Sequence, residues 1–438
     1  MSPPKGVAME GKIIMSSKEF QRMRVFREVA EKRMTLVVAA ALIGISYRQA
    51  KRLKARFAHA DGKGLIHRNR GRTPINALRE DTRTRVIELH SQRYPDTNDT
   101  HFTELLRERE GIDLGRESVR QILRGAGLPP KRRRRPPQHR SRRQRKERIG
   151  QMIQWDGSPH PWFGKRHLPC CLLAAVDDAT TTLLAALFTP VESSEGYLRL
   201  LEGILKTHGI PMAIYHDQHS SLVRTDGHWS LQEQMQGRQF PTHVGRVLEE
   251  LGIESIPATS PQAKGRIERT FGTLQDRLMP ELRLANIASI PSANAWLTAE
   301  FIPRYNARFA LSPADGSSAF VSISKKEIHH RVAFAYEATV GNDNAVRLGG
   351  IVIDIPPGPS RRSYAKANVL VRQHLDGSWT VSLGSQQIAA HSPTPLREPV
   401  RSWKAREKRH QKTPRADLQV YIASKPALPS TGTFSLGS

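Results

Sequence analysis

Three things are scarce in this 438-residue chain, and each scarcity closes off a class of protein. There are only two cysteines, adjacent at Cys170 and Cys171. That excludes a disulfide framework and any zinc site built on thiolates, because neighbours in sequence rarely bridge. No apolar run approaches the ~20 residues needed to span a bilayer, and the amino terminus has no signal-peptide apolar stretch. A cytoplasmic protein of a reducing compartment, with no membrane partner, is therefore expected. Acidic residues are also few: 41 Asp+Glu face 68 Lys+Arg, a formal net charge of +27. With 38% hydrophobic and 25% charged residues, the chain is not wholly disordered. Its length suits roughly two to four domains.

The charge is unevenly placed. Residues 1–150 hold 37 Lys/Arg and 16 Asp/Glu, so +21 of the net charge lies there and +6 in the remainder. A basic front on a near-neutral body reads as a phosphate-binding module joined to something else. The densest stretch, 131–148, has eleven basic residues, a single acid at Glu147, and Pro136-Pro137. Self-repulsion and the lack of apolar anchors leave its ordering entropy unopposed, so a linker lying along DNA is expected. Binding of that kind weakens steeply with salt.

Two small helical modules are expected ahead of this linker. Helices over 17–31, 35–42 and 47–57 follow from the spacing of Phe20, Val25, Phe26, Val29, Leu36, Ala39, Leu53 and Phe57. Gly44-Ile45-Ser46 between the second and third gives a turn and an N-cap serine. Helix, short turn and basic helix is the plan of a helix-turn-helix, spanning 15–75, with Arg48, Gln49 and Arg52 facing the major groove. Arg70 and Arg72 follow in an extended Gly-Arg segment suited to a minor groove. A second helix-turn-helix is expected over 76–130, with helices at 81–94, 102–109 and 116–125. Arg116 and Arg120 project from its last helix, and Arg132, Arg133 and Arg134 of the linker come next.

From Gly150 the texture changes to strands. Apolar runs at 151–158, 168–176, 182–188 and 212–215, a helix near 195–206, another at 242–251 and a strand at 253–257 describe an α/β sandwich opened by antiparallel strands. A long helix then starts after Ser260-Pro261, with proline as a first-turn residue. Three carboxylates stand out: Asp156 within the first strand, Asp217 at the end of the fourth, and Glu268 on the long helix. Ile267, Phe271, Leu274 and Leu278 form that helix's buried stripe, and Lys264, Glu268 and Gln275 share another face. Gathering three acids is unfavourable unless cations neutralise them. Hard divalent ions with oxygen ligands do so, and no His/Cys cluster offers a transition-metal alternative. Asp177-Asp178, just before Ala179-Thr180-Thr181, reads as a hairpin turn, and so does Asp226-Gly227.

These residues resemble a known family. Trp155-Asp156-Gly157, Asp217 and Ser260-Pro261…Lys264-Gly265…Glu268-Arg269 look like the catalytic core of the DDE transposases and retroviral-type integrases. More narrowly, the chain resembles the bacterial insertion-sequence transposases of the "not classified yet" (ISNCY-like) group, over about residues 15–320. The resemblance implies an RNase H-like core at 149–320, in which Asp156, Asp217 and Glu268 are catalytic and bind two Mg²⁺ ions, with Mn²⁺ able to substitute. It also implies that Lys264 contacts DNA near the reacting phosphate. Two features depart from the pattern. Fifty residues separate Asp217 from Glu268, more than is usual in integrases, the excess reading as a loop inserted around 223–238. Gln218-His219-Ser220 also stands where many relatives have Asn-Gly, and either His216 or His219 could orient the attacking water or be purely structural.

Beyond residue 320, short alternating runs at 331–336, 345–348, 351–355, 368–372 and 379–383 suggest a small closed β-barrel at 330–398. A basic, partly disordered tail follows at 399–438. The expected fold class is thus multidomain α/β: helix-turn-helix modules, an RNase H-like integrase core and a small β-barrel. The expected function is a transposase that binds an element's terminal inverted repeats, cleaves 3′ ends and joins them to target DNA. It would work as at least a dimer, in the bacterial nucleoid. The alternatives are a sequence-specific DNA-binding regulator with an inactive core, and a structure-selective nuclease on the same fold.

Overall fold

The computed structural model describes residues 15–67, 69, 77–132, 136, 143–224, 226–258, 265–358, 362–395, 399–400 and 420–422. The chain divides into two compact units, residues 1–85 and 86–438. The first carries helices α1 (Ser17–Ala30), α2 (Leu36–Leu42) and α3 (Tyr47–Ala60). Each starts on a hydroxyl cap that satisfies a free N–H of the first turn: Ser16 for α1, Thr35 for α2 and Ser46 for α3. Val25, Phe26, Val29, Ala39, Ala50, Leu53 and Leu65 are buried between them. Residues 43–46 join α2 to α3, with Gly44 at φ +66, a left-handed conformation that suits glycine.

The second unit is built on a five-stranded sheet of order β3-β2-β1-β4-β5. Its strands are β1 (Ile153–His160), β2 (Cys170–Asp177), β3 (Leu183–Thr189), β4 (Ala213–His216) and β5 (Glu254–Pro257). β1, β2 and β3 pair antiparallel, whereas β4 is parallel to β1 and β5 parallel to β4. The antiparallel opening of the sheet, followed by alternating helices and strands, is the one expected from the sequence.

Alternation along each strand sorts the two faces. Ile153, Trp155, Leu173 and Ala175 pack under α7 (Ser194–Thr207) and α9 (His243–Leu251). Leu172, Ala174, Val176 and Phe188 pack under α10 (Gly265–Leu284), α11 (Ile290–Trp296) and α12 (Ile302–Phe309). The α10 stripe is the expected one, with Ile267, Phe271, Leu274 and Leu278 all buried. Edge strand β3 is shielded by side-chain amides: Asn294 takes both backbone groups of Phe188, and Asn306 both of Leu183. An edge so occupied cannot template another strand.

The helices α4 (Glu80–Gln92), α5 (Asp99–Glu110) and α6 (Arg116–Gly125) precede the sheet. α5 lies against α10 and α12 through charge rather than an apolar core. Arg277 forks onto Glu104, at 2.5 and 2.9 Å, and Arg308 reaches the same carboxylate at 2.7 Å. Glu281 takes His101 Nε2 at 3.1 Å and Arg109 at 2.9 Å. Arg283 pairs with Asp96 at 2.7 Å.

The C-terminal part corrects one expectation, since the β-barrel is not closed. After α13 (Lys325–Arg331), strands β6 (Ala333–Thr339), β9 (Asn368–His374), β10 (Trp379–Leu383) and β11 (Gln386–His391) form one sheet. β7 (Ala345–Leu348), β8 (Ile351–Asp354) and β12 (Val420–Ile422) form another. Phe334, Val346, Ile353, Val371 and Trp379 belong to the same buried cluster as Trp155 of the five-stranded sheet and Leu201 of α7. Alternation in a short strand shows which side is apolar but not which neighbour covers it. Here α9 covers β6, with His243 set edge-on between Phe334 and Tyr336, so the strands have no need to close on themselves. Among the described residues no helix is long and apolar enough to cross a membrane.

Candidate active site

Asp156 lies within β1, and Asp217 directly follows the neighbouring strand β4. β1 and β4 pair with Ile153 opposite Ile214 and Gln154 opposite Tyr215. The ladder ends there, two residues before Asp156 on β1 and two before Asp217, which follows the end of β4. Both charges act on the same buried group: burial, then Glu192, Asp156 and Asp217, raise the Tyr197 phenol far above its ordinary range. Each aspartate is steadied by local backbone. Gly157 N–H donates to Asp156 Oδ1 at 3.0 Å, and His219 N–H to Asp217 Oδ1 at 3.1 Å.

Glu268 comes to the same face through α10. Gln154, Asp156 and Ser158 alternate onto the side of β1 that α10 covers. Gln154 Oε1 accepts from Ile267 N–H at 3.2 Å, and Ser158 Oγ from Gln275 Nε2 at 3.3 Å. The helix therefore runs along β1 past Asp156, with Glu268 in its first turn, exposed and on the same stripe as Gln275. Among the described residues no three His, Cys, Asp or Glu side chains stand close enough to hold one metal ion. Glu268 itself is exposed.

The donor chemistry nonetheless fits hard cations, because the three candidates offer only carboxylate oxygens. The nearest sulfur, on Cys171, is no competitor. Burial and the Glu192 carboxylate push its thiol up to about 12, so it keeps its proton. Of the histidines considered, His216 is locked between Asp217 O at 2.6 Å and Ser255 Oγ at 2.7 Å, a structural role. His219 Nδ1 accepts from Ser221 N–H at 3.3 Å.

Residues that sequence inspection missed surround these acids. Glu192 takes the Tyr197 hydroxyl at 2.6 Å and lies so close to β1 that a Cβ on Gly157 would fall 2.4 Å from its Oε2. A larger residue at 157 would have to push the Glu192 carboxylate aside. The inserted loop is ordered around α8 (Leu231–Gln236), with Glu233 capping Ser230 and paired to Arg224. The Asp177-Asp178 turn divides its labour. Asp177 makes the turn, accepting from Thr180 N–H and Oγ1 at 2.8 Å each, whereas the fully buried Asp178 pairs with Arg143 and Arg266.

The proposed DNA contacts fall into three sets. Arg48, Gln49 and Arg52 are exposed on one helix, α3. Arg116, Arg120 and Arg132 line a cleft of about 1000 Å³ together with Arg269 and Thr273 of α10. Lys131 and Arg132 lean on Asp276 of α10, at 3.5 and 3.3 Å. Arg70, Arg72, Arg133, Arg134, Lys264 and the first-turn role of Pro261 lie outside the described residues.

Comparison with known proteins gives the lineage. The chain is 40% identical over 306 residues to "Putative transposase y4bF" of Sinorhizobium fredii (strain NBRC 101917 / NGR234), covering 69% of this chain and 65% of that protein. It is 30% identical over 324 residues to the transposase for insertion sequence IS1202 of Streptococcus pneumoniae, covering 66% of this chain and 68% of that one. The chain thus spans a little under two thirds of the Sinorhizobium relative. No family model matches it. Among solved structures, a simian T-cell lymphotropic virus intasome in complex with the PP2A regulatory subunit B56 gamma matches at TM-score 0.28 and 17% identity, over 74% of this chain and 100% of that one. The HTLV-2 integrase catalytic core domain with magnesium, in its dimeric form, matches at 0.24 and 16%, over 35% and 88%. Neither score bears weight, and the sequence relatives decide the matter: this chain belongs to the insertion-sequence transposases.

Proposed function

We propose that the protein is a DDE transposase whose Asp156, Asp217 and Glu268 hold two Mg²⁺ ions for cleavage of an element's 3′ ends and their transfer into target DNA. What supports this reading is that β1, which carries Asp156, pairs in parallel with β4, which runs up to Asp217, while α10, which carries Glu268, is held to β1 through Gln154 and Ser158. The chemistry such ions supply when bound is charge neutralisation at the entering and departing oxygens of an in-line displacement. The chain's own task is positioning. Asp156 and Asp217 present oxygens from two adjacent strands, and Glu268, on the helix end, rotates inward to complete the set. Arg269, Arg116, Arg120 and Arg132 flank the site with positive charge that tracks a phosphate backbone. Lys264, four residues before Glu268, contacts DNA beside the reacting phosphate.

The helices 15–75 and 76–130 act as helix-turn-helix modules that read the terminal repeats. In the first, Arg48, Gln49 and Arg52 enter the major groove, with Arg70 and Arg72 in the minor groove. Arg133 and Arg134, in the 131–148 segment, add phosphate contacts. One active site per chain and two ends per element require at least a dimer, working in the cytoplasm on nucleoid DNA. The second reading is a DNA-binding regulator with an inactive core, favoured by the one observation that no three-ligand group forms among the described residues.

Labelled duplexes carrying the element's own ends, with Mg²⁺, separate the two. Asp156→Asn, Asp217→Asn and Glu268→Gln should each abolish 3′-end cleavage and joining while end binding stays near wild type. Equal loss of binding in all three, or wild-type protein that binds ends and never cuts them, would falsify the transposase site. Hydrolysis without joining would instead point to a nuclease.

A further inference from the structure

We infer that Asp178, with Gln154 and Arg266, is a positioning device that sets Glu268 against Asp156, an inference resting on the active-site reading above. Asp178 is fully buried and lies where β2 turns back. Its Oδ1 takes Gln154 Nε2 at 2.8 Å and the guanidinium groups of Arg266 and Arg143, and its Oδ2 takes Lys146 N–H at 3.0 Å. A turn aspartate needs none of these partners. Asp177, its neighbour, already closes the turn.

The consequence runs through the amide of Gln154. With Nε2 committed to Asp178, its Oε1 has to face the other way, and there it accepts Ile267 N–H. The first N–H groups of a helix have no partner inside the helix, so a side chain of β1 serves as the cap of α10. Gln154 stands two residues before Asp156 on the same strand face, and Ile267 immediately before Glu268. Arg266 grips the same carboxylate from the helix side, and its Nη2 also donates to Arg143 O at 2.8 Å. One buried acid therefore fixes the approach of the two elements that carry Asp156 and Glu268, without touching either carboxylate. The same acid anchors the end of the basic segment through Arg143, so the charge that faces DNA is tied to the catalytic helix at its root.

The full-length protein is tested with Asp178→Asn and Gln154→Leu, which keep size and remove the charge or the amide. The readouts are metal-free hydrogen exchange of residues 267–270, Mn²⁺ affinity by calorimetry, the Mg²⁺ dependence of end cleavage, and end binding. We expect faster exchange at the start of α10. Metal affinity and cleavage should fall together by about 10- to 100-fold, as for partners that orient metal ligands, with end binding within about threefold of wild type. Should Asp178→Asn unfold, Gln154→Leu and Arg266→Gln, which leave the buried carboxylate in place, carry the test. Folded variants with wild-type exchange, metal affinity and cleavage overturn the inference, as do defects that appear only in proportion to lost thermal stability. Asp156→Asn, run alongside, keeps the two levels apart. If it is inactive and the Asp178 set behaves as wild type, only the positioning role falls. If Asp156→Asn cleaves normally, the active-site reading itself falls.

Discussion

The five-stranded sheet has two attachments of opposite character. On the α7/α9 side the C-terminal sheets share one continuous apolar cluster with it, from Trp155 and Leu201 to Phe334 and Trp379. On the α10/α12 side α5 and the turn before it are held by carboxylates and arginines: Glu104 with Arg277 and Arg308, Glu281 with Arg109 and Arg304, and Asp96 with Arg283. Apolar burial is nearly indifferent to salt and scales with area. Ion pairs weaken in salt where exposed and cost several kcal/mol when one partner is lost from a buried site. The first seam fixes the C-terminal sheets permanently. The second can be loosened by anything that competes for arginine, and a DNA phosphate is such a competitor.

That contrast can be broken at three points. The largest effect is expected from Phe334→Ala, which empties a fully buried position and should destabilise the second unit by about 4 kcal/mol. Calorimetric melting should show the same loss at low and high salt, and a loss that vanished in 1 M salt would mean that the seam is not apolar in energetic terms.

Mild acid is the next. Burial, with Arg246 nearby, holds the His243 imidazole down at about 4, and burial with His329 does the same for His374. The unfolded chain binds those protons near pH 6.5. Stability is therefore complete above pH 6.5 and drains away as pH falls through about 4, by up to about 3 kcal/mol per histidine. The ionic seam titrates later. Burial would raise the Glu281 carboxyl, but His101, Arg304 and Arg109 outweigh it and hold it below its ordinary value; Glu104 is held down in the same way by Arg277 and Arg308. Their contribution is intact above pH 4.5 and is lost only as pH falls through the lowered values. Acid titration at pH 5 should thus weaken the apolar seam first, and His243→Phe should blunt that response. The smallest effect is that of salt: raising it to ~1 M should loosen α5 by about 1 kcal/mol in hydrogen exchange and leave the sheet unchanged.

Sequence reading succeeded where the information is local. The helix at 116–125, the stripe Ile267–Phe271–Leu274–Leu278 and the strands around Asp156 and Asp217 follow from periodicity. Those patterns repeat within a few residues because one side is buried. What it missed is carried by partners far apart in the chain. Gln154 meets Ile267 across 113 positions, and Arg277 meets Glu104 across 173; no window around either residue contains its partner. Asp178 looked like a turn because its neighbour is one. β11, whose Gln386-Gln387 opening has little β preference, was passed over for the opposite reason, and without it the C-terminal strands looked able to close into a barrel.

The connection from β4 to β5 has a last consequence. Between β4 and β5 the chain passes through α8 and α9 before the sheet gains its fifth strand. Extra chain can accumulate in that excursion at small entropic cost, without shifting a rung between β1 and β4. The interval between Asp217 and Glu268 can therefore lengthen without disturbing the Ile153–Ile214 and Gln154–Tyr215 rungs.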